Sequence, residues 1–208
     1  MTTATWCAFD AALAGGHTRL IFGDGSETDL ETARWTDRAA GDDYWLVDRC
    51  TGPTVDLGCG PGRLVVELAG RGIPVLGVDQ SGVAAACCHR RSVTMLCQDL
   101  FAPLPDEGGW SHVLLADGNI GIGGEPLRLL DRAARLLTRG GTVLVEADPR
   151  PELLWQGEVR IRTGDDIGAP LPWAVIGVDV LARLGATLGL RCSKRHRGDR
   201  AFLELTRS

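Results

Sequence analysis

The chain has no long apolar run. No stretch reaches the ~18–20 residues a membrane span needs. The segment Met1 to Asp10 has no cationic region followed by an apolar stretch, so the expectation is a protein that is neither membrane-bound nor exported. Lysine is almost missing: Lys194 is the single lysine among 22 lysine and arginine residues, a bias that folding does not require and that fits a GC-rich coding sequence. A cationic surface is missing too. The formal net charge of −5 argues against nucleic acid and anionic membranes as partners, since both are bound by displacing counterions with positive charge. The one basic cluster, Arg191, Lys194, Arg195, His196, Arg197 and Arg200, reads as a solvated strand edge. The seven cysteines show no C-x-x-C spacing, so neither a zinc site nor a redox motif is expected. Their odd number fits reduced thiols in a cytoplasm, with the vicinal Cys87 and Cys88 as small buried fillers.

What is present is an ordinary globular composition, 44% hydrophobic and 24% charged over 208 residues, which predicts one folded unit. From residue 53 onward, short apolar runs alternate with helical periods. Residues 53–58, 74–79, 93–97, 112–116 and 142–147 read as strands. Helices are expected over 63–72, after a cap at Ser81, and from Pro126 onward with Leu127, Leu130, Ala134 and Leu137 inward. Gly140 and Gly141 are expected to stop that last helix. Residues 150–176 lose the helical period and read as an inserted hairpin, 157–163 against 171–176. A final helix over 179–188 precedes strands at 190–196 and 201–206. The pattern predicts an α/β, Rossmann-like, doubly wound sheet that is mainly parallel, with an antiparallel edge hairpin. Residues 1–52, with a short helix near 4–14, a hairpin around Gly23-Asp24-Gly25 and a helix near 42–50, read as a small amino-terminal extension packed on a core of 53–208 and covering its site.

The strongest local signal is Val55-Asp56-Leu57-Gly58-Cys59-Gly60-Pro61-Gly62-Arg63. A glycine turn between a strand and a helix lets backbone approach a ligand closely, and the helix amides there favour a polar or anionic group. Arg63 stands where the dinucleotide fingerprint needs glycine, and no Walker lysine follows. Asp79 ends the next strand, where a carboxylate can accept both hydroxyls of a ribose. Gln98-Asp99-Leu100 and the glycine-rich run from Ala116 to Gly124 end the third and fourth strands, so four carboxyl ends converge on one crevice.

VDLGCGPGR, GVDQS, QDL and LLADGNIGIGG followed by TVLVE resemble the successive motifs of class I S-adenosylmethionine-dependent methyltransferases, over about residues 50–148. The loop from Asp117 to Gly124 and the overall size also resemble a group of small actinobacterial methyltransferases. The resemblance implies a seven-stranded sheet and S-adenosylmethionine as cofactor. It also implies methionine-portion contacts from Asp56 and the backbone of Gly58, Cys59, Gly60 and Gly62, with the Ala116 carbonyl meeting the amino group. Asp79 would take the ribose, and Gln80, Asp99 and Leu100 the adenine. The expected activity is methyl transfer to oxygen, nitrogen or sulfur of a small molecule; the alternative is a binding module that keeps the donor and lacks turnover.

A sulfonium donor carries its methyl group already activated, so holding acceptor and methyl in line does most of the work, and a base is needed only where the acceptor loses a proton. Asp117 is the candidate base. Asn119, Glu146 and Asp148 fall on the same side of the sheet, and Trp35, Trp155 and Trp173 lie in the covering segments, Trp155 being favoured to stack on a planar acceptor. Arg34, beside Trp35, reads as a surface arginine.

Overall fold

The computed structural model describes residues 7–13 and 16–208. The main sheet has seven strands, buried at its centre and more exposed at its edges. These are β3 (Thr54–Leu57), β4 (Val75–Asp79), β5 (Met95–Cys97), β6 (Trp110–Leu115) and β7 (Leu137–Ala147), followed by β11 (Leu190–Arg197) and β12 (Ala201–Arg207). The spatial order is β11-β12-β7-β6-β3-β4-β5. The β3–β4, β4–β5, β3–β6 and β6–β7 pairs are parallel, while β12 runs antiparallel between β7 and β11. The expected seven-stranded, mainly parallel sheet with an antiparallel edge is therefore present. Side chains alternate across it. Leu114, Leu144 and Phe202 pack with Leu46, Leu64 and Leu68 on one face. Val55, Leu57, Val113, Val143 and Leu203 pack with Leu129, Leu130 and Leu181 on the other.

Helices α4 (Arg63–Gly70), α5 (Gly82–Arg90), α6 (Pro126–Leu136) and α7 (Val178–Thr187) make the crossovers. Ser81 caps α5 as expected, its hydroxyl accepting from the Ala84 amide at 3.0 Å. On α6 the inward stripe differs from the sequence reading: Leu129, Leu130, Ala133 and Leu136 are fully buried, whereas Leu127 is 44% exposed. The helix phase is set by Pro126, itself buried at the first position, which turns its neighbour Leu127 to solvent. Gly140 and Gly141 do not stop α6 either. The helix ends at Leu136, and both glycines lie inside β7, where Gly140 takes φ +78°.

The largest departure concerns the covering segments. The first part of the chain supplies α1 (Cys7–Leu13), β1 (Thr18–Phe22), β2 (Glu27–Leu30), α2 (Thr32–Thr36) and α3 (Asp43–Val47). Residues 4–6 and 14 of the expected first helix lie outside the described residues. The later segment supplies β8 (Leu154–Thr163), β9 (Asp166–Ile167) and β10 (Leu171–Ile176). Extension and insert are not separate appendages. β1 pairs antiparallel with β8, Leu20 opposite Ile161, giving a second sheet in the order β10-β8-β1-β2 with β9 beside β8. Its inner residues Leu20, Val159, Ile161, Leu171 and Trp173 join the main core.

Candidate active site

The site lies where the main sheet's strand order reverses, with β4 on one side of β3 and β6 on the other, the position at which open α/β sheets hold ligands. The turn after β3 is made by backbone that only glycine adopts easily: Gly58, Gly60 and Gly62 have φ of +76°, +52° and +84°. At Gly58 and Gly62 space forbids a side chain as well, since a Cβ would come within 2.7 Å of Asn119 Nδ2 and 2.8 Å of Cys88 Sγ respectively. The Gly58 and Cys59 amides donate to the Val78 carbonyl, which seats the turn on β4.

A cavity opens above this turn. From the core it is lined by Asp56, Gly58, Cys59, Gly60, Arg63, Asp79, Ser81, Ala116, Asp117, Asn119 and Ile122, and from the covering segments by Phe9, Leu13, Leu20, Leu30, Trp35 and Trp173. Asp56 is 2% exposed, and its carboxyl has no hydrogen-bond partner among the described residues. Burial, reinforced by the negative charge of Asp117 and opposed by Arg63, pushes its pKa up to about 7. Asp79 accepts the Gly60 amide on Oδ2 at 2.8 Å and the Ser81 amide on Oδ1 at 2.9 Å. Burial raises its pKa against those two hydrogen bonds. Ser81 Oγ in turn donates to Asp10 of α1.

Below the cavity runs a chain of six charged groups that the sequence reading did not assemble. Asp117, with φ +53°, accepts Arg34 on Oδ1 at 2.5 Å and Arg63 on Oδ2 at 2.6 Å, with Arg200 at 3.3 Å from Oδ1. Arg200 binds Glu146 through Nε at 2.7 Å and through Nη2 at 2.5 Å, and Asp43 through Nη1 at 2.6 Å. Arg63 pairs with Asp43, and Glu146 Oε2 accepts the Asp117 amide at 2.6 Å. Three guanidinium groups thus face three carboxylates. Burial raises the Asp43 carboxyl, and hydrogen bonds from Arg63, the Ala40 amide and Arg200 more than offset it, holding the group below its ordinary value. Against burial, Asp117 and Asp43 lift Arg63, and Glu146, Asp43 and Asp117 lift Arg200. Two sequence readings change here. Arg34 is not a free surface arginine, and Arg200 leaves the solvated basic cluster to become 13% exposed within this network.

Of the expected site residues, Trp35, Asp56, Gly58, Cys59, Gly60, Asp79, Ala116, Asp117 and Asn119 meet at the cavity. Asn119 donates through Nδ2 to the Leu57 and Gly58 carbonyls, at 3.1 and 2.7 Å, and so clamps the loop after β6 onto the glycine turn. Gly62 sits one turn deeper at the α4 cap, and Glu146 stands behind Asp117. Gln80, Asp99 and Leu100 lie beyond the cavity wall at the ends of β4 and β5, with Asp99 exposed and accepting the Phe101 amide at 2.9 Å. Trp155 is outside the cavity, edge-on to Phe22 at 4.7 Å. Trp173, not Trp155, lines the cavity from the later covering segment. Asp148 is held by Arg150 away from the site.

Residues 54–141 match a family model described as a methyltransferase domain. Over this segment the chain is similar to that family. A search of curated protein sequences finds no match. Among solved structures, the fold is similar to an S-adenosylmethionine-dependent methyltransferase from Bacteroides fragilis in complex with S-adenosyl-L-homocysteine. The TM-score is 0.82 at 19% identity, covering 100% of this chain and 98% of that one. An amino pentose methyltransferase from Micromonospora echinaspora aligns with a TM-score of 0.62 at 15% identity, over 85% and 94% of the two chains. A 1,6-didemethyltoxoflavin-N1-methyltransferase from Burkholderia thailandensis aligns with a TM-score of 0.56 at 15% identity, over 75% and 71%. The first likeness spans the second sheet as well as the core. No helix among the described residues is long and apolar enough to cross a membrane.

Proposed function

We propose that this protein moves the methyl group of S-adenosylmethionine to oxygen, nitrogen or sulfur of a small-molecule acceptor in the cytoplasm. One observation carries the reading: the Asp56 carboxyl, buried and without a hydrogen-bond partner among the described residues, faces the cavity at the glycine turn. Arg63, 3% exposed on the same cavity wall, has an Nε without a hydrogen-bond partner. A buried carboxylate and a buried N–H on the lining of one cavity fit an amino acid zwitterion, whose ammonium and carboxylate satisfy both. The residues present therefore fit the methionine end of the donor.

Each oxygen of Asp79 already accepts one backbone amide and keeps lone-pair capacity for the ribose hydroxyls. The Ala116 carbonyl accepts the Asn119 amide at 2.9 Å and has a second lone pair for the ligand's amino group. Gln80, Asp99 and Leu100 stand at the open ends of β4 and β5, where an adenine would extend. When bound, the donor supplies a sulfonium methyl whose C–S electron pair returns to sulfur as the acceptor's lone pair bonds to carbon. Both oxygens of Asp117 are engaged by guanidinium groups, so its role is to fix the cavity floor, not to take a proton. A proton released by the acceptor passes to water.

The test is calorimetry with S-adenosylhomocysteine followed by incubation of the protein and methyl-labelled donor with a low-mass cell extract. The reading predicts binding and label in a small molecule. Binding with no label in any compound would make the protein a donor-binding module instead, and the absence of binding would overturn the reading.

A further inference from the structure

We infer that the acceptor is a flat, uncharged, largely apolar ring, and that Trp35 and Trp173 select it. This rests on the donor reading above and deepens it. The cavity has two walls of different chemistry. The core wall is polar, as described. The wall from the covering segments carries Phe9, Trp35 and Trp173 with Leu20, Leu30 and Leu13, and no charged side chain. Phe9 stands between the two indoles, 6.1 Å from Trp35 at 54° and 5.6 Å from Trp173 at 45°. Tilted rings at these spacings present π faces and edges to a third ring, the arrangement aromatic groups favour, whereas a saturated or branched acceptor gains only area.

The position of Trp173 is fixed from below. A Cβ at Gly121 would come within 2.9 Å of its indole ring and 2.1 Å of the Ala174 carbonyl, so the turn over 119–124 keeps glycine there and lets the indole lie against it. Once the donor's amino acid end meets Asp56 and Arg63, the remaining charges nearest this wall are matched within the protein. Arg34 and Arg63 are bound to Asp117, and Asp117 to both. An ionic acceptor would enter with its charge unmatched and would lose its hydration for no partner.

The step this acceptor undergoes is in-line: its heteroatom bonds to the methyl carbon, the C–S bond breaks toward sulfur, and any proton on the heteroatom leaves to water. The test uses four probes on protein saturated with S-adenosylhomocysteine: indole and 2-naphthol as neutral flat rings, cyclohexanol as a neutral puckered one, and 4-aminobutyrate as a charged chain. Calorimetry is expected to give the flat rings at least tenfold tighter binding than cyclohexanol, and no heat with 4-aminobutyrate. Trp35→Ala, at a half-buried position, should weaken 2-naphthol at least tenfold, with Trp35→Phe recovering most of it and S-adenosylhomocysteine affinity within twofold of the parent. Because Trp173 is part of the core, Trp173→Phe serves there, with its melting temperature read beside its affinity. Equal binding of 2-naphthol and cyclohexanol, preference for 4-aminobutyrate, or an unchanged ring affinity in Trp35→Ala would each overturn the inference. Failure of S-adenosylhomocysteine itself to bind would overturn the donor reading and this inference with it, whereas its binding without a preference for flat rings overturns this inference alone.

Discussion

The two walls of the cavity are built in opposite ways. The core wall is local: β3, the glycine turn and the start of α4 follow one another in sequence, and Asp79 ends the adjacent strand. The covering wall is assembled from afar, with Leu20 on β1 set opposite Ile161 on β8 and Trp173 reaching the same cavity. The network joining the walls spans longer separations still, since Asp43 and Arg200 stand 157 residues apart. A wall made of contiguous residues carries a fixed chemistry whose spacing is constrained. A wall made of paired distant strands can change its side chains without disturbing the turn, so the fold keeps donor geometry constant while acceptor shape varies.

Breaking the joint between the walls should have the largest effect. Arg200→Met leaves Asp43, which is fully buried, short of one partner and frees Glu146, a loss of about 3–5 kcal/mol for a broken buried pair. Urea denaturation should show that loss, and a change below ~1 kcal/mol would mean the network is not holding the walls together. Asp56→Asn separates the walls functionally. It keeps shape and removes the charge, so S-adenosylhomocysteine affinity should drop by about 3 kcal/mol, roughly 100-fold, in calorimetry, while unfolding stability stays level or rises as the desolvation cost disappears.

The same carboxyl gives a pH signature confined to the core wall. Its folded pKa of about 7 exceeds the ordinary 3.8, so the folded protein binds this proton more tightly than the unfolded chain. Stability from this group is therefore full below the unfolded value and falls as pH rises through the window between the two. Donor affinity moves the other way. An ammonium prefers the ionised carboxyl, so S-adenosylhomocysteine should bind more weakly below pH 7, by up to about tenfold per unit, and Asp56→Asn should flatten that dependence. The smallest effect is expected outside both walls: Leu127→Ala, at a 44% exposed position, should change stability by less than about 0.5 kcal/mol, against the several expected of a core leucine.

What was legible in the sequence follows the same division. Strand and helix order, the antiparallel edge, the Ser81 cap and the glycine turn are set by neighbours within a few residues, and periodicity exposes them. The stripe of α6 was read one position out of phase because several leucines compete for the same face and the first-turn proline decides between them. Arg63 was visible only as a missing glycine, since nothing local shows that Asp43 and Asp117 close on it. Trp155 and Trp173 could not be ranked by pattern. They share the inner face of paired strands, Trp173 opposite Gly157 and Trp155 opposite Val175, and only the placement of the second sheet puts one at the cavity and the other against Phe22. The pairing of extension with insert was invisible for the same reason: strand registry across more than a hundred residues leaves no local trace.

The account's central claim is that one cavity joins an amino acid grip at Asp56 to an aromatic wall. A crystal structure with S-adenosylhomocysteine tests it directly. The account predicts the ligand's ammonium within hydrogen-bond reach of Asp56, its ribose on Asp79, and its sulfur opening toward the aromatic wall of Trp35, Phe9 and Trp173. A ligand seated elsewhere, or a sulfur turned away from the indoles toward bulk water, would contradict it.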